Sequence, residues 1–95
     1  MKELLNTIKK FRQKRDWGIC DYPASMAKSI VIEACELLEN YQWSDTAKDL
    51  ENVKEELADI LIYTFTLCEI YQFDIKQIIK EKLIKNAVKY PEIKK

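Results

Sequence analysis

The stretch that decides the fold is residues 47–71, AKDLENVKEELADILIYTFTLCEIY. Its side chains follow a repeat of three and four residues, which is the period of an amphipathic α-helix and not that of a strand. The recurring positions are Leu50, Val53, Leu57, Ile60, Leu61, Thr64, Leu67 and Cys68. They cover more of the helix circumference than one neighbouring helix needs. We therefore expect this helix to pack against a second copy of the chain.

Three further helices are predicted around this segment, because Gly and Pro are rare enough for the few breakers to divide the chain. The four predicted helices are residues 2–14, a segment that opens after Pro23 and closes at Tyr41, residues 47–71 and residues 75–88. Ser25 is the expected N-cap of the second helix. Asp74 stands three residues before Gln77, which is the spacing of a capping box at the start of the fourth. The sequence predicts one all-α domain over residues 1–95, a four-helix bundle-like fold.

The composition excludes several kinds of chemistry. The 95 residues contain no His and one Gly. A Ser-His-Asp triad, an HExxH zinc site and Gly-rich phosphate loops are therefore ruled out. Lys and Arg number 16 and Asp and Glu also number 16, and this balance argues against nucleic acid as a partner. No long apolar run or export segment is present, so we expect no membrane contact and a cytoplasmic location.

Two pairs of carboxylates stand three residues apart on predicted helices, Glu33 with Glu36 and Glu56 with Asp59. This spacing places both members of a pair on the same side of their helix. Glu33 and Glu56 fall beside the apolar stripes, whereas Glu55 falls on an outer face. If the two helices pack antiparallel, the pairs face each other and repel unless a divalent cation lies between them. A set of oxygen ligands favours Mg²⁺ or Mn²⁺ over zinc.

The spacing alone leaves a second interpretation open. Glu is a good helix former, and charged residues on helices usually face solvent. A chain without a metal site would be a catalytically silent helical module. It would form oligomers or bind a partner protein through the apolar face of the third helix.

Five segments spread in order along nearly the whole chain form a recognisable pattern: FRQKRDW at 11–17 with Pro23, the ExxE of 33–36, ELLENYQW at 36–43, EELADI at 55–60 and KLIKNAVKYP at 82–91. Together they resemble the MazG-like nucleoside triphosphate pyrophosphohydrolases, which include the all-α dCTP pyrophosphatases. The resemblance implies Mg²⁺-dependent hydrolysis of (d)NTPs to the monophosphate and pyrophosphate, with Mn²⁺ as a substitute. It also implies a homodimer or homotetramer and a role in cleaning the nucleotide pool.

The same resemblance assigns the metal ligands and the group that activates water. The implied Mg²⁺ ligands are Glu33, Glu36, Glu56 and Asp59. A carboxylate that is not fully used as a ligand, Glu36 or Glu39, would orient or deprotonate the attacking water. The site would then lie where the second and third helices meet.

Groups that bind the nucleotide are implied in three further places. Trp17, Trp43 and Tyr63 resemble the family's base-pocket positions, where aromatic faces stack on a nucleobase. Lys82, Asn86 and Lys89 share one face of the fourth helix, which is expected to close over the phosphates. Arg12 and Arg15 either contact phosphate or lie on a basic solvated face.

The sequence departs from the family pattern at Asp21, two residues before Pro23. Relatives close to the dCTP-hydrolysing group often carry His at this position. An acidic residue there either favours a base with an exocyclic amine or faces solvent. The base preference, whether dCTP or a modified nucleotide, therefore stays open.

Overall fold

The computed structural model describes residues 1–17 and 22–93, and the description below concerns these residues. They form four α-helices: α1 (Lys2–Gln13), α2 (Pro23–Glu39), α3 (Leu50–Ile70) and α4 (Ile75–Lys89). No strand occurs within these two ranges. The predicted all-α fold class is confirmed.

Two helices begin at an aspartate whose side chain caps the first turn. The Asp49 carboxylate accepts hydrogen bonds from the backbone N–H groups of Glu51 and Asn52, at 3.1 and 3.3 Å. This cap starts α3 at Leu50, three residues later than predicted, because Asp49 itself adopts an extended conformation. The predicted cap of α4 is confirmed, since Asp74 accepts from the backbone N–H of Gln77 at 2.9 Å.

The predicted N-cap of α2 was wrong. Helix α2 already begins at Pro23, with Tyr22 as its N-cap, so Ser25 lies inside the first turn. Proline suits the first helical position because its φ is fixed near the helical value and it has no N–H to leave unpaired. The capping box of α4 is not reciprocal, because the Gln77 side chain donates to Glu81 Oε1 at 3.0 Å.

Helices α2 and α3 pack against each other along most of their length, and α1 packs on α3. The buried Asn40 fixes the connection between α2 and α3. Its side chain donates to Asn52 Oδ1 at 2.9 Å and accepts from the Asp49 N–H at 3.1 Å. Its carbonyl accepts from the Lys48 N–H at 3.0 Å. We call Asn40 and Asn52 the asparagine clamp, which sets the antiparallel register of the two helices.

Helix α4 leaves the body of the molecule after its first turn. The exposed fraction rises from 7% at Ile75 to 61% at Leu83 and 82% at Val88. The radius of gyration is 16.4 Å. A compact chain of this length has a value of about 12 Å. The predicted bundle therefore holds for α1, α2 and α3. The expectation that Ile78, Ile79 and Leu83 point inward was wrong, because within one chain α4 has no helix to pack against.

The hydrophobic core of a single chain is thin. Among the described residues, the buried apolar side chains are Met26, Val53 and Ile75. The chain exposes 8,286 Å² of surface. A compact monomer of this mass exposes about 5,700 Å². In the described ranges, no helix combines the length and the hydropathy that a membrane crossing requires.

Candidate active site

A cluster of carboxylates lies between α2 and α3. Glu33, Glu56 and Asp59 each place one carboxylate oxygen within 4.8 Å of the other two. Glu36 lies close to this group, since its carboxylate contributes to raising the pKa of both Glu33 and Glu56. The structure thus brings together the four residues that were predicted as metal ligands. We call them the acidic cluster.

The helix geometry explains why the four side chains meet. Residues three apart project from the same side of a helix, so each helix contributes two neighbouring carboxylates. The asparagine clamp places the end of α2 against the start of α3. The antiparallel register that follows sets Glu33 and Glu36 opposite Glu56 and Asp59.

The proximity of these groups raises the pKa of Glu33 to about 7. The largest cause is the hydrogen bond that the protonated Glu33 donates to Glu56, followed by desolvation and by the effects of Glu36 and Asp59. The hydrogen bond with Glu33 lowers the pKa of Glu56, but desolvation and the neighbouring acids outweigh it and raise that pKa overall. All charged groups that shift these two pKa values are acidic. In the metal-free protein, about half of the Glu33 carboxyl groups therefore carry a proton at pH 7.

Two carboxylate oxygens of the acidic cluster are buried without a hydrogen-bond partner, Glu33 Oε2 and Glu56 Oε2. Glu56 as a whole is only 8% exposed. A buried carboxylate oxygen without a partner is costly, because desolvation is not compensated. Oxygens that ligate one Mg²⁺ lie roughly 3–4 Å apart, since each is about 2.1 Å from the ion. The donor set and its spacing therefore fit a hard divalent cation.

A cavity of about 480 Å³ lies beside the acidic cluster, between α1 and α3. Its lining residues are Thr7, Ile8, Phe11, Arg12, Trp17, Asp59, Ile62 and Tyr63. Asp59 belongs to both the cavity and the acidic cluster. The volume is within the usual range for a small-molecule site. Two of the three predicted base-pocket residues, Trp17 and Tyr63, line this cavity.

Trp43 and Glu39 lie in a different place. Both line a separate surface cavity of about 320 Å³ at the connection between α2 and α3. Trp43 is 89% exposed. Within one chain, the structure does not bring Trp43 to Trp17 and Tyr63. It places Glu36, and not Glu39, with the other carboxylates.

Lys82, Asn86 and Lys89 do not close over the acidic cluster of their own chain. They lie on α4, which projects from the body of the molecule and packs along neither α2 nor α3. The expectation that the fourth helix closes over the phosphates was wrong for a single chain. Residues 71–74 interrupt the helix between α3 and α4, and among the described residues α4 makes no extensive contact with α2 or α3.

Of the two interpretations that the sequence left open for Arg12, the structure excludes the solvated face. Arg12 is 8% exposed and lines the cavity beside the acidic cluster. The signal for this burial was available, because Arg12 stands seven residues after Leu5 and four after Ile8, on the apolar stripe of α1. Arg15 is exposed and places its guanidinium 3.5 Å from the ring centroid of Phe11. Asp21 lies outside the described residues.

The chain is similar to several known proteins. The model of the MazG-like family matches residues 28–95. A pyrophosphatase of known structure from Archaeoglobus fulgidus is 37% identical and superposes with a TM-score of 0.90, over 97% of this chain and 93% of that one. The dCTP pyrophosphatase 1 proteins of Mus musculus and Rattus norvegicus are 33% and 30% identical over 85% of this chain.

The chain spans about half, 53%, of the length of these two rodent relatives. The region matched by the family model nevertheless begins within α2 and includes all four residues of the acidic cluster. The fold agrees with a pyrophosphatase at 37% sequence identity over nearly its full length. This chain belongs to the MazG-like family.

Proposed function

We propose that this protein is a Mg²⁺-dependent nucleoside triphosphate pyrophosphohydrolase, which converts a (d)NTP to the monophosphate and pyrophosphate. The observation that carries the proposal is the pair of buried, unpartnered oxygens of Glu33 and Glu56 within a cluster of four carboxylates. The names of the relatives, a pyrophosphatase and two dCTP pyrophosphatases, support the reaction class.

In this proposal, Glu33, Glu36, Glu56 and Asp59 hold Mg²⁺. The bound metal neutralises the charge of the polyphosphate and of the transition state. Glu36 is the better of the two candidates for orienting water, because it lies in the acidic cluster while Glu39 lines another cavity. Attack of that water on the α-phosphorus breaks the bond between this phosphorus and the oxygen that bridges it to the β-phosphorus. Glu36 accepts the proton of the water.

The cavity between α1 and α3 would receive the nucleoside. Because Asp59 lines both this cavity and the acidic cluster, a triphosphate bound at the cluster places its base within reach of Trp17 and Tyr63. The Trp17 and Phe11 rings make an edge-to-face contact, with centroids 5.7 Å apart. Trp17 is 49% exposed, so its ring offers a surface on which a base can stack.

We also propose that the protein works as a homo-oligomer. A single chain exposes about 2,600 Å² more surface than a compact monomer of its mass, which is the amount that large obligate interfaces bury. The exposed apolar residues include Val31 and Leu38 on α2, Leu57 and Leu61 on α3, and Leu83 and Val88 on α4. A second copy that covers these surfaces would bring its own α4, with Lys82, Asn86 and Lys89, to the site of the first chain.

The first experiment is to measure pyrophosphate and monophosphate release from a panel of canonical and modified NTPs and dNTPs, with Mg²⁺, Mn²⁺ or EDTA. We expect release of pyrophosphate that requires the metal and stops in EDTA. Light scattering of the same samples should give the mass of a dimer or a tetramer. A folded protein that binds Mg²⁺ and releases no pyrophosphate from any nucleotide would contradict the proposed function.

A further inference from the structure

Asn40 is a buried amide at the end of α2 that holds the start of α3 by three hydrogen bonds. It is 7% exposed. Its side chain donates to Asn52 Oδ1 and accepts from the backbone N–H of Asp49, and its carbonyl accepts from the N–H of Lys48. Asp49 in turn caps the first turn of α3. Asn40 thus fixes the position at which α3 begins relative to α2.

The asparagine clamp lies one helical turn from the acidic cluster on both helices. Asn40 follows Glu36 by four residues, and Asn52 precedes Glu56 by four residues. Residues four apart lie on the same face of a helix, about 6 Å from each other along its axis. The clamp and the carboxylates are therefore successive layers of one interface. The separation of the two helices at the clamp limits their separation at the carboxylates.

The acidic cluster itself opposes the close approach of α2 and α3. The charged groups that shift the pKa values of Glu33 and Glu56 are acidic, and one oxygen of each of these residues is buried without a partner. Carboxylates at such short distances repel each other, so the metal-free cluster pushes the two helices apart. The hydrogen bond between Asn40 and Asn52 acts against this repulsion, because it exists only while the helices stay in contact.

A buried amide pair gives two packed helices a unique register rather than the largest stability. A buried Asn between two facing helices specifies their register at a cost in stability, which an apolar pair would avoid. A shift of α3 by one residue would move Glu56 by about 1.5 Å along the helix and turn it by about 100° about the axis. The clamp therefore selects the register in which the carboxylates of α2 and α3 meet.

We propose that Asn40 is a positioning residue for the metal, which holds Glu36 and Glu56 at the separation that Mg²⁺ requires by fixing Asn52 and the start of α3. This inference rests on the proposed function and adds to it a residue outside the acidic cluster. Mg²⁺ demands near-ideal octahedral geometry with oxygens at about 2.1 Å, whereas Ca²⁺ accepts irregular geometry at about 2.3–2.6 Å. Loss of the clamp therefore weakens the binding of Mg²⁺ more than that of Ca²⁺.

The test is a calorimetric titration of the nucleotide-free full chain with Mg²⁺ and, separately, with Ca²⁺. Asn40→Ala should lower the affinity for Mg²⁺ by about 10- to 100-fold, the range expected when a group that supports metal ligands is lost. The affinity for Ca²⁺ should fall less, so that the ratio of the two dissociation constants changes by about 10-fold. Asn52→Asp keeps an acceptor opposite the Asn40 amide and should retain the wild-type ratio.

The ratio separates positioning from a general loss of stability, since both ions are titrated into the same preparation. Ile75→Ala is the destabilised control, because it removes a buried side chain in the first turn of α4, beyond the other end of α3. It should leave the ratio unchanged. An Asn40→Ala variant with the wild-type ratio, or an equal change of the ratio in Ile75→Ala, would overturn the proposal.

Pyrophosphate release from the panel of nucleotides distinguishes this inference from the proposed function. If Asn40→Ala changes the ratio but the wild type releases no pyrophosphate, the proposed function fails and the role of Asn40 stands. If the wild type releases pyrophosphate and Asn40→Ala keeps the wild-type ratio, the role of Asn40 fails and the proposed function stands. A folded wild type that binds neither ion overturns the role of Asn40, and if it also releases no pyrophosphate, the proposed function fails with it.

Discussion

The α2–α3 pair and α4 are both helical and both carry apolar stripes, yet only the first is complete within one chain. The α2–α3 pair is fixed by the asparagine clamp and buries polar groups as well as apolar ones, including Glu56 and Thr66. Helix α4 has a capped first turn and a buried Ile75, but its remaining apolar residues are exposed. The contrast teaches that the acidic cluster, which we propose to bind the metal, is assembled within each chain. We propose that the phosphate-binding residues of α4 reach such a cluster only from a second copy.

The strongest test of this comparison removes one carboxylate from the acidic cluster. We expect Glu56→Gln to lower Mg²⁺-dependent pyrophosphate release at least about 100-fold, because the metal loses a buried ligand. The same variant should unfold at a higher temperature than the wild type in EDTA above pH 7, because one of several mutually repelling charges is gone. Enzyme assays and thermal unfolding by circular dichroism measure the two effects.

Glu55→Gln is the matched control for this variant. Glu55 is the neighbouring residue, but it is exposed, so its removal should change neither activity nor unfolding temperature. A folded Glu56→Gln protein with full activity would show that the acidic cluster is not the metal site.

The next prediction concerns the cationic residues of α4, which a second copy would bring to the site. We expect the double variant Lys82→Ala, Lys89→Ala to lower kcat/KM by about 10- to 100-fold, because the phosphates lose two cations. Co-expression of this variant with Glu56→Gln should restore roughly one quarter of the wild-type activity, since a mixed dimer then contains one intact site.

The co-expressed pair distinguishes two arrangements of the site. If α4 acts on its own chain, every site in the mixture carries one defect and no activity returns. Activity assays on the two single preparations, mixed without co-expression, provide the control for exchange of subunits.

A smaller effect is expected from the clamp that sets the α2–α3 register. Asn40→Ala removes the partners of Asn52 and of the Asp49 N–H, both at the start of α3. The loss of a buried hydrogen-bonded amide predicts destabilisation by about 1–3 kcal/mol, which urea unfolding would measure. Gln42→Ala, on an exposed residue in the same connection, should change the free energy of unfolding by less than about 0.5 kcal/mol. Equal effects of the two variants would refute the role of the clamp.

The smallest predicted effect is a pH dependence of the metal-free protein. The pKa of Glu33 is about 7 in the folded chain, against 4.5 as its ordinary value. The folded state therefore holds more protons than the unfolded state between these pH values, and its stability falls as the pH rises through this window. In EDTA, we expect a lower unfolding temperature at pH 8 than at pH 5.5.

Glu33→Gln should reduce this difference between the two pH values, whereas Glu55→Gln should not. Addition of Mg²⁺ at pH 8 should raise the unfolding temperature of the wild type, because the cation binds the ionised cluster of the folded state. The prediction is contradicted if the wild type in EDTA is more stable at pH 8 than at pH 5.5 and Glu33→Gln shows the same difference. Glu33 would then not hold an additional proton in the folded state.

Much of the acidic cluster could be predicted because helix periodicity is a local property. The spacing of Glu33 with Glu36 and of Glu56 with Asp59 specifies which side of each helix the carboxylates occupy. The asparagine clamp was not predictable in this way. Asn40 and Asn52 stand twelve residues apart, and nothing local indicates that their side chains meet. The burial of Arg12 was predictable only in part. Its position on the apolar stripe of α1 indicated burial, whereas its charge indicated exposure to solvent.

By itself, the sequence determined the helical class, the extent of the four helices to within a few residues and the pairing of carboxylates along α2 and α3. These features follow from backbone propensity, side-chain period and caps such as Asp74, which act over a few residues. Only the tertiary structure decided that Trp43 lies apart from Trp17, that Arg12 lines the cavity, and that α4 projects from the body of the molecule. Such features depend on the directions in which connections such as residues 71–74 send the helices, and the angle of a short turn is set by packing rather than by local pattern.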